Sequence, residues 1–279
     1  MSQMVESTFQ STDGQSLYRV HWLPAGSPKA VILLVHGIGE HCRRYDHVAD
    51  FLVRHGYAVY ALDHRGHGRS EGLRAHFDSF DDPVNDLKRY FDLIKAEQPE
   101  QPIFIYGHSM GSLISLLFTL RYQSELTGLI ISGTPLQLES ESSGFQVRLS
   151  GFLQRFFPTF KGVPPIPASY LTHDPDRLRQ IETDPLMYKG NHRLGIVYGI
   201  ITNSREVRKR LAEIRLPLLV LHGADDKICP PSGAMTLHEG AASAHKTLKM
   251  YPGLYHEIHN EPEYETVLTD MITWLDAHV

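Results

Sequence analysis

The segment Gly107-His108-Ser109-Met110-Gly111 fits the pattern G-x-S-x-G and offers Ser109 as a nucleophile. The pattern alone is weak, because short motifs recur by chance. Its setting makes it specific. An apolar, strand-like run at 102–106 leads in, and a helical pattern at 111–122 leads out. In a strand–turn–helix this sharp, the residues two before and two after the serine must be tiny, and Gly107 and Gly111 are. The serine then stands at a helix N-terminus, where backbone N–H groups and the helix dipole favour a developing oxyanion. The bland alternative is a helix-capping serine beside incidental glycines.

A serine hydroxyl is a poor nucleophile until a base takes its proton. On a sheet of this kind the chain order is serine, then acid, then histidine. Asp226 follows the apolar run 216–222, in His222-Gly223-Ala224-Asp225-Asp226. His256 follows the run 247–251, in Tyr251-Pro252-Gly253-Leu254-Tyr255-His256-Glu257. Both lie at carboxyl ends of predicted strands, where α/β sheets build their sites. A histidine titrating near pH 6.5 suits a general base. Asp225 is the rival acid, and His245 and His259 are the rival bases.

An oxyanion needs a second N–H from the loop after the run 30–36, which reads His36-Gly37-Ile38-Gly39-Glu40-His41. The expected donors are the backbone N–H groups of Ile38 and Met110. Such a site needs no cofactor and no metal. His256-Glu257-Ile258-His259 is one residue short of H-E-x-x-H, and Gly66-His67-Gly68 is followed by Glu71 where a dinucleotide loop needs glycine. The stretch from Asp63 to Ser70 reads as a structural loop, with Asp63 and Arg65 tying backbone together. Cys229, close in sequence to Asp226, reads either as buried filler or as a reactive thiol near the site.

These residues must be held by a scaffold. Phe9 and the run 16–22 predict a hairpin turning at Asp13-Gly14. Residues 30–36 form a continuous apolar run, as a buried central strand should. Helical spacing at 45–55 stops at Gly56, and 57–62 is again strand-like. Residues 83–97 predict a helix with Pro83 in its first turn and Leu87, Tyr90, Phe91 and Ile94 on one face. Strand 128–132 and a closing helix at 262–278 continue the alternation. The expected class is α/β: a mostly parallel central sheet flanked by helices, which with the serine elbow means the α/β-hydrolase fold.

Residues 136–210 break the rhythm. They hold helical patterns and Pro164, Pro165 and Pro167, without a clear buried strand. They predict a helical cap inserted into a core of residues 1–135 and 211–279. Phe145, Leu149, Phe152, Leu153, Phe156 and Phe160 recur at helical spacing. That stripe packs the cap onto the core, or it lines an acyl tunnel or touches lipid.

The 279 residues are 42% hydrophobic, enough for a sizeable core. A formal net charge of -5 argues against a nucleic-acid partner. Two cysteines make no disulfide framework, so free thiols in a reducing compartment are expected. The first residues lack the basic start and apolar run of a signal peptide, and no apolar stretch approaches the ~20 residues of a membrane span. The expectation is a cytoplasmic monomer or weak dimer. The cap would be the face for transient membrane or micelle contact.

Along nearly its full length the chain resembles the monoacylglycerol lipases, with lysophospholipases and serine-aminopeptidase-like hydrolases close by. The resemblance rests on the segments from His36 to His41, Asp63 to Ser70, Gly107 to Gly111, His222 to Asp226 and Tyr251 to Glu257, and on Asp184-Pro185-Leu186. It implies a serine hydrolase acting on a small lipid ester, with Ser109, His256 and Asp226 as the triad. It implies cleavage of a monoacylglycerol to fatty acid and glycerol through an acyl-enzyme. Glu40, Arg44 and His259 would then form a polar pocket for the glycerol head group. A lysophospholipid or a short- or medium-chain carboxylic ester is the alternative substrate. A peptidase and a non-catalytic binding protein are remoter rivals. Ser112 and Ile38 depart from the smaller residues common at those positions, which bears on chain-length preference.

Overall fold

The computed structural model describes residues 3–137 and 156–279. Of the aromatic and aliphatic stripe, Phe145, Leu149, Phe152 and Leu153 lie outside the described residues.

The chain opens on a hairpin, β1 (Gln3–Gln10) and β2 (Ser16–Leu23), paired antiparallel from Gln10↔Ser16 to Gln3↔Leu23. Gly14 turns it at φ +85°, a conformation that costs a glycine little. Strands β3 (Val31–Val35), β4 (Ala58–Leu62), β5 (Ile103–His108) and β6 (Gly128–Ser132) follow. After β7 (Lys161–Val163) and β8 (His192–Arg193), β9 (Leu218–Gly223) and β10 (Lys246–Tyr251) complete the set. Eight strands form one sheet in the order β1-β2-β4-β3-β5-β6-β9-β10, parallel from β4 to β10. This is the expected α/β-hydrolase architecture.

The central strands are buried on both faces, which is why they read as unbroken apolar runs. Alternation still sorts their side chains. Val31, Leu33 and Val35 join one core cluster, and Ile32 and Leu34 join the other. The first cluster takes helical partners from α2 (Asp81–Glu97) and α3 (Met110–Tyr122), and also holds Ile196, Val207, Ala234 and Leu237 from two later helices. The second takes them from α1 (Asp46–Arg54) and the last helix, α7 (Tyr264–Asp276). Each wholly buried Leu or Phe contributes roughly 1.5–3 kcal/mol, so two such clusters hold the sheet rigidly.

Between β6 and β9 the chain leaves the sheet. Its described part carries the antiparallel pair β7–β8, α4 (Pro175–Thr183) and α5 (Leu194–Lys209). Asp174 caps α4 by accepting from the N–H groups of Asp176 and Arg177, with Pro175 opening the helix. The short β7–β8 ribbon was not visible in the apolar pattern, because β7 is exposed or half-buried. Helix α6 (Ser232–Gly240) lies between β9 and β10. Among the described residues no helix is long and apolar enough to cross a membrane.

Candidate active site

Ser109 sits between β5 and α3 at φ +52° and ψ -123°, a region non-glycine residues avoid. The strain persists because the surroundings fix it from both sides. Its N–H donates to the Ser132 carbonyl at 3.0 Å. Its own carbonyl accepts from the Ser112 N–H at 2.9 Å and the Ser112 hydroxyl at 2.6 Å. Ser112 therefore pins the elbow. The glycines do what the motif requires. A side chain at Gly111 would overlap the carbonyl of Val35, and one at Gly107 would approach the Gly111 carbonyl to 2.7 Å.

Asp226 and His256 meet across the loops after β9 and β10. His256 Nδ1 lies 2.8 Å from Asp226 Oδ2. Asp226 Oδ1 accepts from the N–H groups of Ile228 and Cys229 at 2.8 and 2.9 Å, and His222 Nε2 lies 3.2 Å from Oδ2. Burial alone would raise this carboxyl's pKa. The adjacent His256 and the hydrogen bonds from His222 and His256 outweigh it and hold Asp226 well below the usual range. Burial would likewise lower His256, but Asp226 raises it above the ordinary histidine value. Asp225 and His245, two of the rivals, are both exposed.

Ser109 and His256 line one cavity of about 240 Å³. Ile38 lines it too, from the loop after β3, and Gly37 lets that loop close in, since a side chain there would stand 3.1 Å from Ser109 Cβ. Met110 opens α3, so its N–H is among those a helix leaves without an internal acceptor. Ser109, His256 and Ile38 thus line one recess, with Asp226 bonded to His256 behind it and Met110 next along the chain from the serine.

Glu40 and Arg44 also line the cavity. Arg44 Nη1 donates to Glu40 Oε2 at 2.7 Å, and Glu40 Oε1 accepts from the Gly37 N–H at 2.6 Å and the Tyr45 hydroxyl at 2.9 Å. His259 departs from expectation. It is not part of the cavity wall but stands behind it, fully buried, stacked on Tyr45 at 4.5 Å and edge-on to His108 at 4.8 Å. A 3₁₀ turn at Ile258–Asn260 rotates it away from the recess. In its place the wall carries Glu257 and His108. Position could have flagged both, since each adjoins a triad candidate, but His108 fills an unrestricted position of G-x-S-x-G and Glu257 only closes the segment from Tyr251.

Cys229 is buried, and burial, with Asp226 nearby, pushes its thiol well above the usual pKa. A protonated thiol is a poor nucleophile, which favours the filler reading. The Asp63 loop is structural. Asp63 accepts from the N–H groups of Cys42 and Arg69, both at 2.8 Å, and Arg65 grips Asp86 at 2.7 and 2.9 Å. The His64 N–H donates to His36 Nε2 at 3.0 Å, so this loop supports the Ile38 loop from beneath.

The profile of the serine aminopeptidase S33 family matches residues 26–263. The chain belongs to that family. The chain is 34% identical over 276 residues to a monoacylglycerol lipase of Mycolicibacterium smegmatis, spanning 98% of each protein. It is also 34% identical to the monoglyceride lipase of Rattus norvegicus, covering 96% of this chain and 89% of that one. The crystal structure of a Paleococcus ferrophilus monoacylglycerol lipase superposes with a TM-score of 0.81 at 27% identity, over 99% of this chain and all of that one.

Proposed function

We propose that this family member hydrolyses monoacylglycerols to fatty acid and glycerol, with Ser109 as nucleophile, His256 as general base and Asp226 as the orienting acid. The observation that carries the reading is the Asp226–His256 pair at 2.8 Å, opening on the same recess as the strained Ser109 and a buried polar corner at Glu40 and Arg44. Ser109 Oγ attacks the ester carbonyl while His256 takes its proton, and Asp226 stabilises the imidazolium. The N–H groups of Ile38 and Met110 receive the oxyanion. His256 returns the proton to the departing glycerol oxygen, and water then frees the acyl-enzyme by the same route. Side chains and water suffice.

In this reading residues 136–210 are a cap on the core of residues 1–135 and 211–279. Ile166, Leu171, Ile181 and Met187 supply the acyl wall. Phe156, Phe157 and Phe160 are each about 60% exposed, which supports transient contact of the cap with a membrane or micelle. Glu40 and Arg44 receive the glycerol hydroxyls, and His259 backs them through Tyr45 and His108.

The test compares kcat/KM for a monoacylglycerol, the matching diacylglycerol and the matching lysophosphatidylcholine. A strong preference for the monoacylglycerol is expected. Comparable rates on all three would reduce the protein to a broad carboxylesterase and leave Glu40 and Arg44 as loop braces.

A further inference from the structure

Acyl transfer does not require Glu257. Ser109, His256 and Asp226 complete the proton path without it. Yet this carboxylate is buried in the cavity wall, its side chain 3% exposed. It grips Arg44 with two contacts of 2.7 Å, and Asn260 Nδ2 donates to it at 2.8 Å. Its backbone N–H donates to the Leu171 carbonyl at 2.8 Å, tying it to the opposite wall. Arg44 already has a partner in Glu40, so one guanidinium lies between two carboxylates. Burying a second carboxylate is costly, and one would have neutralised the arginine.

The consequence is electrostatic. A lone arginine in a recess is a phosphate receptor, because its planar fork matches two phosphate oxygens. Here the fork of Nη1 and Nη2 is filled by Glu257, and the other proton of Nη1 goes to Glu40. With both carboxylates ionised, the corner carries one net negative charge. Burial raises the pKa of Glu40 against the pull of Arg44. A proton taken there would bring the corner to zero, never to positive. The remaining charged lining residues, Glu182 and Lys189, add one charge of each sign from the opposite wall. An uncharged hydroxyl can donate to a carboxylate oxygen, whereas a phosphate is repelled.

We propose that Glu257 is a head-group filter: it cancels the charge of Arg44 and confines the site to esters of uncharged polyols, excluding those that carry a phosphate. The inference rests on the monoacylglycerol reading and sharpens its substrate class.

The test uses the full chain and hexanoyl substrates, which stay monomeric in water. We would measure kcat/KM for monohexanoylglycerol and for hexanoylglycerol phosphate, each divided by the rate on p-nitrophenyl butyrate. The wild type is expected to favour the neutral ester by about 100-fold or more, and Glu257→Gln to shrink that preference by about tenfold, as loss of a buried like charge should. Glu257→Asp, which keeps the charge, should keep the preference. An unchanged preference in Glu257→Gln would overturn the filter and leave Glu257 as a brace. Should that variant fail to fold, the wild type decides by inhibition: 1-O-dodecylglycerol should inhibit and dodecyl phosphate should not, and equal inhibition overturns the proposal. A wild type that turns over monohexanoylglycerol no faster than the matching dihexanoylglycerol sinks the parent reading instead. Good turnover of both hexanoyl esters sinks the filter alone.

Discussion

The cavity has two walls made by opposite rules. The sheet side offers Glu40, Arg44, His108, Ser109, His256 and Glu257, nearly all buried and each polar. Every one of them is held by a named partner, as His108 is by Ser132 Oγ at 3.0 Å. The segment between β6 and β9 offers Pro165, Ile166, Ala168, Leu171, Ile181 and Met187, with Glu182, Tyr188, Lys189 and His192 beside them, and of these only Ile181 and His192 are buried. Polar groups that meet developing charge must be fixed in advance, because reorganising them during the reaction raises the barrier. Apolar contact has no direction and tolerates movement. The molecule therefore spends its rigidity on the wall where the chemistry is and leaves the other adaptable.

The largest effects should come from the rigid wall. Ser109→Ala should melt within a few degrees of the parent and lose at least about 10⁴-fold in kcat on every ester, whatever its acyl chain. Turnover within a hundredfold of the parent on p-nitrophenyl butyrate would move the nucleophile elsewhere. Asp226→Asn should lose about 10⁴-fold. It should also move the acid limb of kcat/KM. His256 accepts a proton only when neutral, so activity falls as pH drops through its pKa, which Asp226 holds above the ordinary value. Without that carboxylate the limb shifts to lower pH. An unmoved limb would mean that another group controls it.

Middle-sized effects should come from the adaptable wall, and they should depend on the substrate. Met187→Trp narrows the acyl side. Each methylene kept out of the recess forfeits about 0.8 kcal/mol, so two or three lost contacts cost long-chain esters about 10- to 50-fold in kcat/KM. Acetyl esters should suffer far less. Equal losses across a chain-length series would show that Met187 positions the reaction and would erase the distinction between the walls.

The sequence was most legible where chemistry restricts residue type. The elbow glycines, the order of serine, acid and histidine, and the unbroken apolar strands each follow from a local constraint, and all are read within a few residues. The fold needed no more, because β3 to β6 and β9 are buried on both faces and announce themselves. The side of the molecule between β6 and β9 was harder. Its β7–β8 ribbon is short and partly exposed, so it has no apolar signature. Phe156 and Phe160 share the spacing of a packed stripe yet are exposed, because periodicity reports which residues share a face and not what covers it. His259, expected in the pocket, lies behind it while Glu257 faces it, for a similar reason. A single 3₁₀ turn decides which of two neighbours faces the recess, and no spacing rule anticipates that.

The smallest effect should come where the walls are joined. His41 Nε2 lies 2.7 Å from Asp184 Oδ2, between the Ile38 loop and the inserted segment, and the Tyr188 N–H donates to the Gly39 carbonyl at 2.8 Å nearby. The contact is partly exposed on the aspartate side, so its worth is at most about 1 kcal/mol, a factor of about five. Asp184→Ala should lower kcat/KM for long-chain monoacylglycerols by about that factor. Asp184→Asn keeps an amide oxygen to meet His41 and should fall between it and the parent. A loss confined to long chains would mean that the tie merely closes the acyl wall. A loss shared equally with acetyl esters would mean that the inserted segment also sets the Ile38 N–H, and so reaches into the chemistry of the rigid wall.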